Sequence, residues 1–372
     1  MDSLLRGRML LASAGIRVSR VSSARGGQRG RNLHLSCFES RLAAALPVPV
    51  MDTAVFEVGA ALLGACVGSF LNVVIHRLPQ EDPKRRSLGG RSHCPKCGAL
   101  IRWFDNVPVL SWVVLRAKAR CCGGPIAVRY PLVELLTAAL FWVLASWPPF
   151  GPLLRPDATG LVFDSEAGAA FVLHAAFLAM LVALTFIDID TQLLPDALTK
   201  PGMAIGVVGG LWPGVAGVIS NDTMYPLALR SLLASVVGLG VGGGVTWGIR
   251  ILGTRVFRKE AMGFGDVKFM AMIGAFLGWK GALLTMFLGC VFGALGGGIG
   301  LLLGRGSRIP FGPYLALGAV IAMFFERDIL TVLFVTWPDW QRANPAAPWI
   351  LYAVVFLCLF GLLAILKRRR FG

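Results

Sequence analysis

The sequence predicts an all-α polytopic membrane protein, and three observations carry that fold class. The chain of 372 residues is 56% hydrophobic, with a mean hydropathy of +0.70, too apolar for a soluble chain of this length. Its apolar residues fall in runs close to the roughly 20 residues a helix needs to cross a bilayer. Its basic residues gather in alternate loops, as they do on the cytoplasmic side of membrane proteins. Helices are the expected spanning element because they satisfy their own backbone groups in lipid.

Residues 1–50 form a basic N-terminal extension, with eight Arg against only two acids, Asp2 and Glu39. They read either as an Arg-rich targeting segment or as sequence upstream of a start at Met51, and in both cases they stand apart from the fold. A first transmembrane helix is expected in 51–76, centred on Val55–Ile75. A Cys-containing loop domain follows over 77–130, then a transmembrane core over 131–325. Spans are expected near Pro131–Trp147, Ala167–Ile187, Gly202–Ser220, Leu229–Ile251, Phe269–Gly278, Gly281–Leu303 and Gly312–Phe325. The Phe269–Gly278 run is short enough to be a half-helix or a continuation of its neighbour. A C-terminal extension over 326–372 holds one further apolar run, Pro348–Leu366. The count is eight or nine transmembrane helices.

The net charge of +16 is mostly topology. Between His76 and Tyr130 there are eleven Lys or Arg against three acids. Further basic clusters are Arg255/Arg258/Lys259, Arg305/Arg308 and Lys367-Arg368-Arg369-Arg370, while the intervening loops are acidic or neutral. The alternation places the large loop, Asp188 and Asp266 in the cytoplasm, provided Phe269–Gly278 crosses. Membrane lipid is therefore the expected surroundings, and nucleic acid is not an expected partner.

The loop domain carries Cys94-Pro95-Lys96-Cys97-Gly98 and, about two dozen residues on, Cys121-Cys122. In a reducing compartment metal ligation is a sharper reading than disulfides. A tight C-x-x-C turn lets two thiolates reach one tetrahedral zinc, and that metal would supply folding free energy to a small loop. A matching second pair would occupy 119 and 122, but position 119 is Ala. Cys121 could supply the fourth thiolate after a local backbone shift, or His93 could; a metal-free loop and a redox role are the alternatives.

Two acidic motifs sit where apolar runs meet polar loops: Phe186-Ile187-Asp188-Ile189-Asp190-Thr191-Gln192-Leu193-Leu194-Pro195-Asp196 and Gly263-Phe264-Gly265-Asp266-Val267-Lys268. Ionisable groups beside lipid are costly and mark function. Pro195 ends one helix and starts the next, and Gly263 and Gly265 permit close approach of backbones. If Asp188 and Asp266 meet, they can share one proton. The ionised member would then deprotonate a water while the protonated member polarises a carbonyl. Asp190 and Asp196 are candidates on the same grounds, and Lys268 is expected to balance charge. The competing readings are helix caps and acidic groups lining an ion path in a transporter.

The chain resembles the bacterial type IV prepilin peptidases of the G-x-G-D intramembrane aspartic class. The resemblance runs from Val58 to about Ala319. Beside the motifs above it rests on Gly68-Ser69-Phe70-Leu71-Asn72-Val73-Val74-Ile75-His76-Arg77-Leu78-Pro79 and Asp105-Asn106-Val107-Pro108-Val109-Leu110-Ser111-Trp112. It continues through Arg129-Tyr130-Pro131-Leu132-Val133-Glu134 and Ile309-Pro310-Phe311-Gly312-Pro313-Tyr314. The resemblance implies an inner-membrane aspartic endopeptidase, with 131–325 as its peptidase core, cutting the short basic leader of type IV prepilins or type II secretion pseudopilins after a Gly. It implies Asp188 and Asp266 as the catalytic pair, with Asp190, Asp196, Gly263, Gly265 and Lys268 in support. It also implies N-methylation of the new terminus from S-adenosyl-L-methionine, associated with an N-terminal region including Gly68 and Asn72. The family's loop has two C-x-x-C pairs, so Cys94, Cys97, Cys121 and Cys122 are the zinc candidates. Ala119 departs from that pattern and leaves peptidase activity without methylation as the alternative.

Overall fold

The computed structural model describes residues 50–80, 82, 86–157, 160–211, 227–260, 262–302, 310–344 and 349. The expected extension over 1–49, the second half of the Gly202–Ser220 span and the Pro348–Leu366 run lie outside the described residues, apart from Trp349.

The described chain is helical, as expected, with one small exception. Its principal helices are α1 (Val50–Arg77), α2 (Arg129–Ser146), α3 (Ser165–Thr191), α4 (Asp196–Gly209), α5 (Leu227–Phe257), α6 (Phe264–Leu302), α7 (Gly312–Thr331) and α8 (Trp337–Ala343). The exception is an antiparallel hairpin between α2 and α3, β1 (Leu154–Asp157) paired with β2 (Gly160–Phe163). Among the described residues, α1, α2, α3, α5 and α6 are long and apolar enough to cross a membrane. The protein is therefore a multi-pass membrane protein.

α3 is buried along most of its length, whereas the other four spans expose most of theirs. Their outward apolar side chains suit lipid. Inside, Phe177 of α3 stacks on Phe276 of α6 with ring centroids 4.5 Å apart. Leu178, Leu181 and Leu184 of α3 join Met272 and Ile273 of α6 and Leu315 of α7 in one apolar cluster. α5 and α6 approach even more closely: a side chain on either Gly238 or Gly274 would collide with the backbone of the other helix. Small residues give membrane helices this contact where no hydrophobic effect drives them together.

The short Phe269–Gly278 run proves to be the first part of α6. The helix is interrupted at Gly278, whose φ of 71° and ψ of −178° are not helical. Only glycine takes that backbone without strain. The run is thus a separate helical segment joined to its neighbour by a kink, which sets the direction of the part bearing the second acidic motif.

Candidate active site

α3 ends where the first motif changes character. Gln192 adopts the left-handed conformation at φ 54°, and its N–H donates to the Asp188 carbonyl at 2.9 Å. Left-handed residues close helices in this way. Pro195 then stands at the N-cap of α4, the break and restart expected of it. Asp188 is left in the last turn of α3, only 5% exposed.

The carboxyl of Asp188 faces the start of α7. Its Oδ2 accepts the Gly312 N–H at 2.9 Å. The first N–H groups of a helix have no partner within it, and a carboxyl is favoured there by the helix dipole. Asp266 occupies the third position of α6, half-buried, and its carboxyl accepts the N–H of Gly263 just before that helix. This is half of a capping box, so the helix-cap reading of Asp266 is true as far as it goes. The Asp188 and Asp266 carboxyls are also near enough to feel each other's charge. A cap needs no second carboxyl beside it.

The supporting candidates tie these two ends together. Lys268 forms an ion pair with Asp196, so the two motifs are joined directly. Lys200 also pairs with Asp196, at 2.9 Å. Lys200 and then Lys268 hold the Asp196 carboxyl below the usual carboxylate range, which keeps it ionised and suits a latch rather than an acid. Gly265 packs on Leu194, where a side chain would bring its Cβ within 3.0 Å of the Leu194 Cβ. Asp190 turns outward and pairs with Arg129 at the start of α2; Arg129 also lies over the Phe186 ring at 5.2 Å. Replacing Lys268 by Met removes one partly exposed ion pair, worth up to about 1 kcal/mol. Substrate turnover by that variant should fall about fivefold and recover in Lys268→Arg.

Three contributors were not singled out from sequence. Gly312 belongs to a noted motif, but its contact with Asp188 crosses between distant segments. Arg250 of α5 donates to the Met262 carbonyl at 3.0 Å and pins the loop that leads into Gly263. Glu134 is buried on α2, and its carboxyl accepts the Val109 N–H at 2.7 Å. Of the suspected cofactor residues, Asn72 donates to the Tyr130 carbonyl at 3.1 Å. Gly68 lets α1 lie against α2, since a Cβ there would stand 2.7 Å from the Glu134 Cα. Both fasten α1 to α2 beside a cleft of about 1350 Å³ that the loop domain covers.

The loop domain is built as two copies of one turn. Cys94 N–H bonds the Ala99 carbonyl and Gly98 N–H returns to Cys94; Ala119 N–H bonds Gly124 and Gly123 N–H returns to Ala119, all between 2.7 and 2.9 Å. Bridges His93 with Leu100 and Lys118 with Pro125 repeat the pattern, and Gly98 and Gly123 both take positive φ. Ala119 thus holds the place of Cys94, and Cys121 that of Lys96. Even so, the four sulfurs lie within 4.8 Å of one another, with Cys94 to Cys122 at 3.8 Å and Cys97 to Cys121 at 3.3 Å.

A tetrahedral zinc with bonds of about 2.3 Å sets its sulfurs just under 4 Å apart, so the cluster fits that ion. The backbone N–H groups of Cys97 and Lys96 draw the Cys94 thiol down to about 6. Cys121, sharing its proton chiefly with Cys97, is pushed up to about 12. A bound cation would let all four ionise. Zinc here would close the loop domain rather than act on substrate. Purified protein should carry about one zinc per chain, and Cys97→Ser or Cys121→Ser should each release it, as read by metal analysis. Zinc retained in both variants would exclude the four-sulfur site.

The fold is that of a polytopic membrane protein, and the candidate site is a pair of carboxyls held at the ends of two packed helices. The chain belongs to the type IV leader peptidase family. The family model of that description matches residues 175–298, and one described as the bacterial peptidase A24 N-terminal domain matches residues 62–147. The chain is 36% identical over 294 residues to the prepilin leader peptidase/N-methyltransferase of Xanthomonas campestris, covering 73% of this chain and 92% of that one. The protein of the same name from Aeromonas salmonicida is 37% identical over 300 residues, covering 72% of this chain and 90% of the relative. That from Myxococcus xanthus is 39% identical over 255 residues, covering 68% of this chain and 66% of the relative. No solved structure matches the chain.

Proposed function

We propose that this chain is an inner-membrane aspartic endopeptidase that removes the leader of type IV prepilins or type II secretion pseudopilins after a Gly, then N-methylates the new terminus. The observation that carries the peptidase reading is that Asp188 and Asp266, at the ends of α3 and α6, lie near enough to feel each other's charge, with their motifs joined by the Lys268–Asp196 ion pair. With one proton between them, the ionised carboxyl takes a proton from water as it attacks the scissile carbonyl. The protonated one donates its proton to the carbonyl oxygen. As the gem-diol collapses it takes a diol proton back, and the first carboxyl passes the proton it took from water to the leaving amine. The Gly312 N–H keeps the Asp188 carboxyl oriented throughout.

The alternation of loop charges supports a cytoplasmic face for this pair if the Phe269–Gly278 segment crosses, and there a basic leader would remain while the apolar helix behind it lies between spans. Methylation is supported by the names of the relatives and by a cysteine cluster that closes despite Ala119. S-adenosyl-L-methionine would supply the methyl group. Co-expression with a prepilin, followed by mass spectrometry of the pilin terminus, tests both activities. Loss of the leader with one added methyl is expected. An uncut prepilin would contradict the peptidase assignment, and a cut but unmodified terminus would contradict the second activity alone.

A further inference from the structure

Among the described residues two acidic side chains are buried, Asp188 and Glu134. Peptide cleavage uses the first and leaves the second unexplained. Glu134 is 8% exposed and lines the cleft beneath the loop domain, with Ser69, Asn72, Trp112, Ile126 and Tyr130 among its walls. The cleft, at about 1350 Å³, exceeds the roughly 300–1,000 Å³ of a site for one small molecule. It has room for a nucleoside-sized donor together with the end of a chain.

The surroundings of Glu134 are built at a cost. Val109 adopts φ 60° and ψ −50°, a region from which β-branched residues are nearly excluded. That strained turn aims the Val109 N–H at the Glu134 Oε2, 2.7 Å away. The Ser69 side chain supplies a second hydrogen bond, and Gly68 lets α1 lie directly on the Glu134 backbone. Strain held at a cleft by packed elements points to a functional constraint.

A carboxylate accepts about four hydrogen bonds, so two donors leave it able to receive more. The neighbouring Val133 packs with Ile75, Ala183 and Ile187, and the cleft is lined by Glu134 but by neither Asp188 nor Asp266. Glu134 is thereby placed to serve a reaction other than cleavage.

We infer that the cleft receives the freshly exposed N-terminal ammonium of the pilin, and that Glu134 is the catalytic residue that binds this ammonium and takes its proton for methyl transfer. The inference rests on the proposed methyltransferase activity. The nitrogen loses one proton to Glu134, and its freed lone pair forms the N–C bond to the methyl of the sulfonium donor. The methyl–sulfur bond breaks, its electron pair stays on sulfur, and a neutral thioether leaves. A carboxylate anchored by Val109 and Ser69 faces a cation without moving, which keeps the ammonium oriented before the proton is passed.

The test uses the purified full chain in lipid and a peptide with the mature pilin terminus, as the free amine or N-acetylated. Without donor, the wild type should bind the free amine about tenfold or more tightly than the acetylated form, as a charge-assisted hydrogen bond requires. Glu134→Gln should erase that preference and Glu134→Asp should keep part of it. With donor present, Glu134→Gln should lose methylation. Leader cleavage by the same preparation shows whether a loss reflects misfolding; should cleavage fall too, the wild-type comparison of the two peptides decides. Equal binding of both peptides by the wild type, or normal methylation by Glu134→Gln, would overturn the inference. A wild type that cleaves but never methylates would instead remove the reading on which it rests.

Discussion

Asp188→Asn and Asp266→Asn should each lower leader cleavage by at least about 10³-fold, because a general acid or base contributes about 10²–10⁴-fold and each carboxyl serves both halves of the reaction. The fold should survive both changes. Asn keeps the size of Asp and an oxygen that can still accept the Gly312 N–H at the start of α7 or the Gly263 N–H before α6. What it loses is the ability to take and return a proton. The measurement is cleavage of a purified prepilin by purified variants, with thermal unfolding followed in parallel. Asp190 supplies the comparison within the same motif. Its partly exposed ion pair with Arg129 is worth up to about 1 kcal/mol, so Asp190→Asn should cost only about fivefold.

Gly312→Ala should slow cleavage by about 10²-fold, the cost of misplacing a reacting group by about 1 Å. A Cβ at this position would lie 2.6 Å from the Asp188 Oδ2, 3.1 Å from its Cγ and 3.3 Å from its Cβ. Ala is at ease in a helix, so the backbone of α7 can keep its course. The Asp188 carboxyl must then rotate or retreat and give up its hydrogen bond. Overpacking of this kind costs about 1–3 kcal/mol, a modest fall in stability against a large fall in rate. kcat should carry most of the change, because Gly312 touches the Asp188 carboxyl itself. A variant with unaltered kcat would show that Asp188 does not depend on this contact.

The fold class was legible because membrane spans depend on local composition. The Val55–Ile75 run lies within α1, Val50–Arg77, and even the ambiguous Phe269–Gly278 run ends at the residue where α6 breaks. The hairpin Leu154–Asp157/Gly160–Phe163 escaped notice because each strand is only four residues long. The acidic pair was legible as two motifs, since glycine, proline and carboxyl residues at helix ends have local meaning. Their arrangement was not legible. Lys268 meets Asp196, and Gly312 meets Asp188, only because helices distant in sequence pack side by side.

The cysteine cluster shows the same boundary. Counting positions found the Ala at 119, where the second turn should have a thiol. It could not tell that the paired turns bring the Cys121 sulfur to within 3.3 Å of Cys97. Glu134 was legible only as the last residue of the Arg129–Glu134 motif; that the Val109 N–H, from a distant turn, donates to its carboxyl was not.

The central claim, that Asp188 and Asp266 act as one catalytic unit, is tested most directly by a double-mutant cycle on cleavage rate. Residues that work as a unit are strongly non-additive, so losing one costs about as much as losing both. Purified Asp188→Asn, Asp266→Asn and the doubly substituted protein, in one lipid preparation with one prepilin, should show similar residual rates. Independent losses that multiply in the double variant, or a single variant that still cleaves at the wild-type rate, would contradict it.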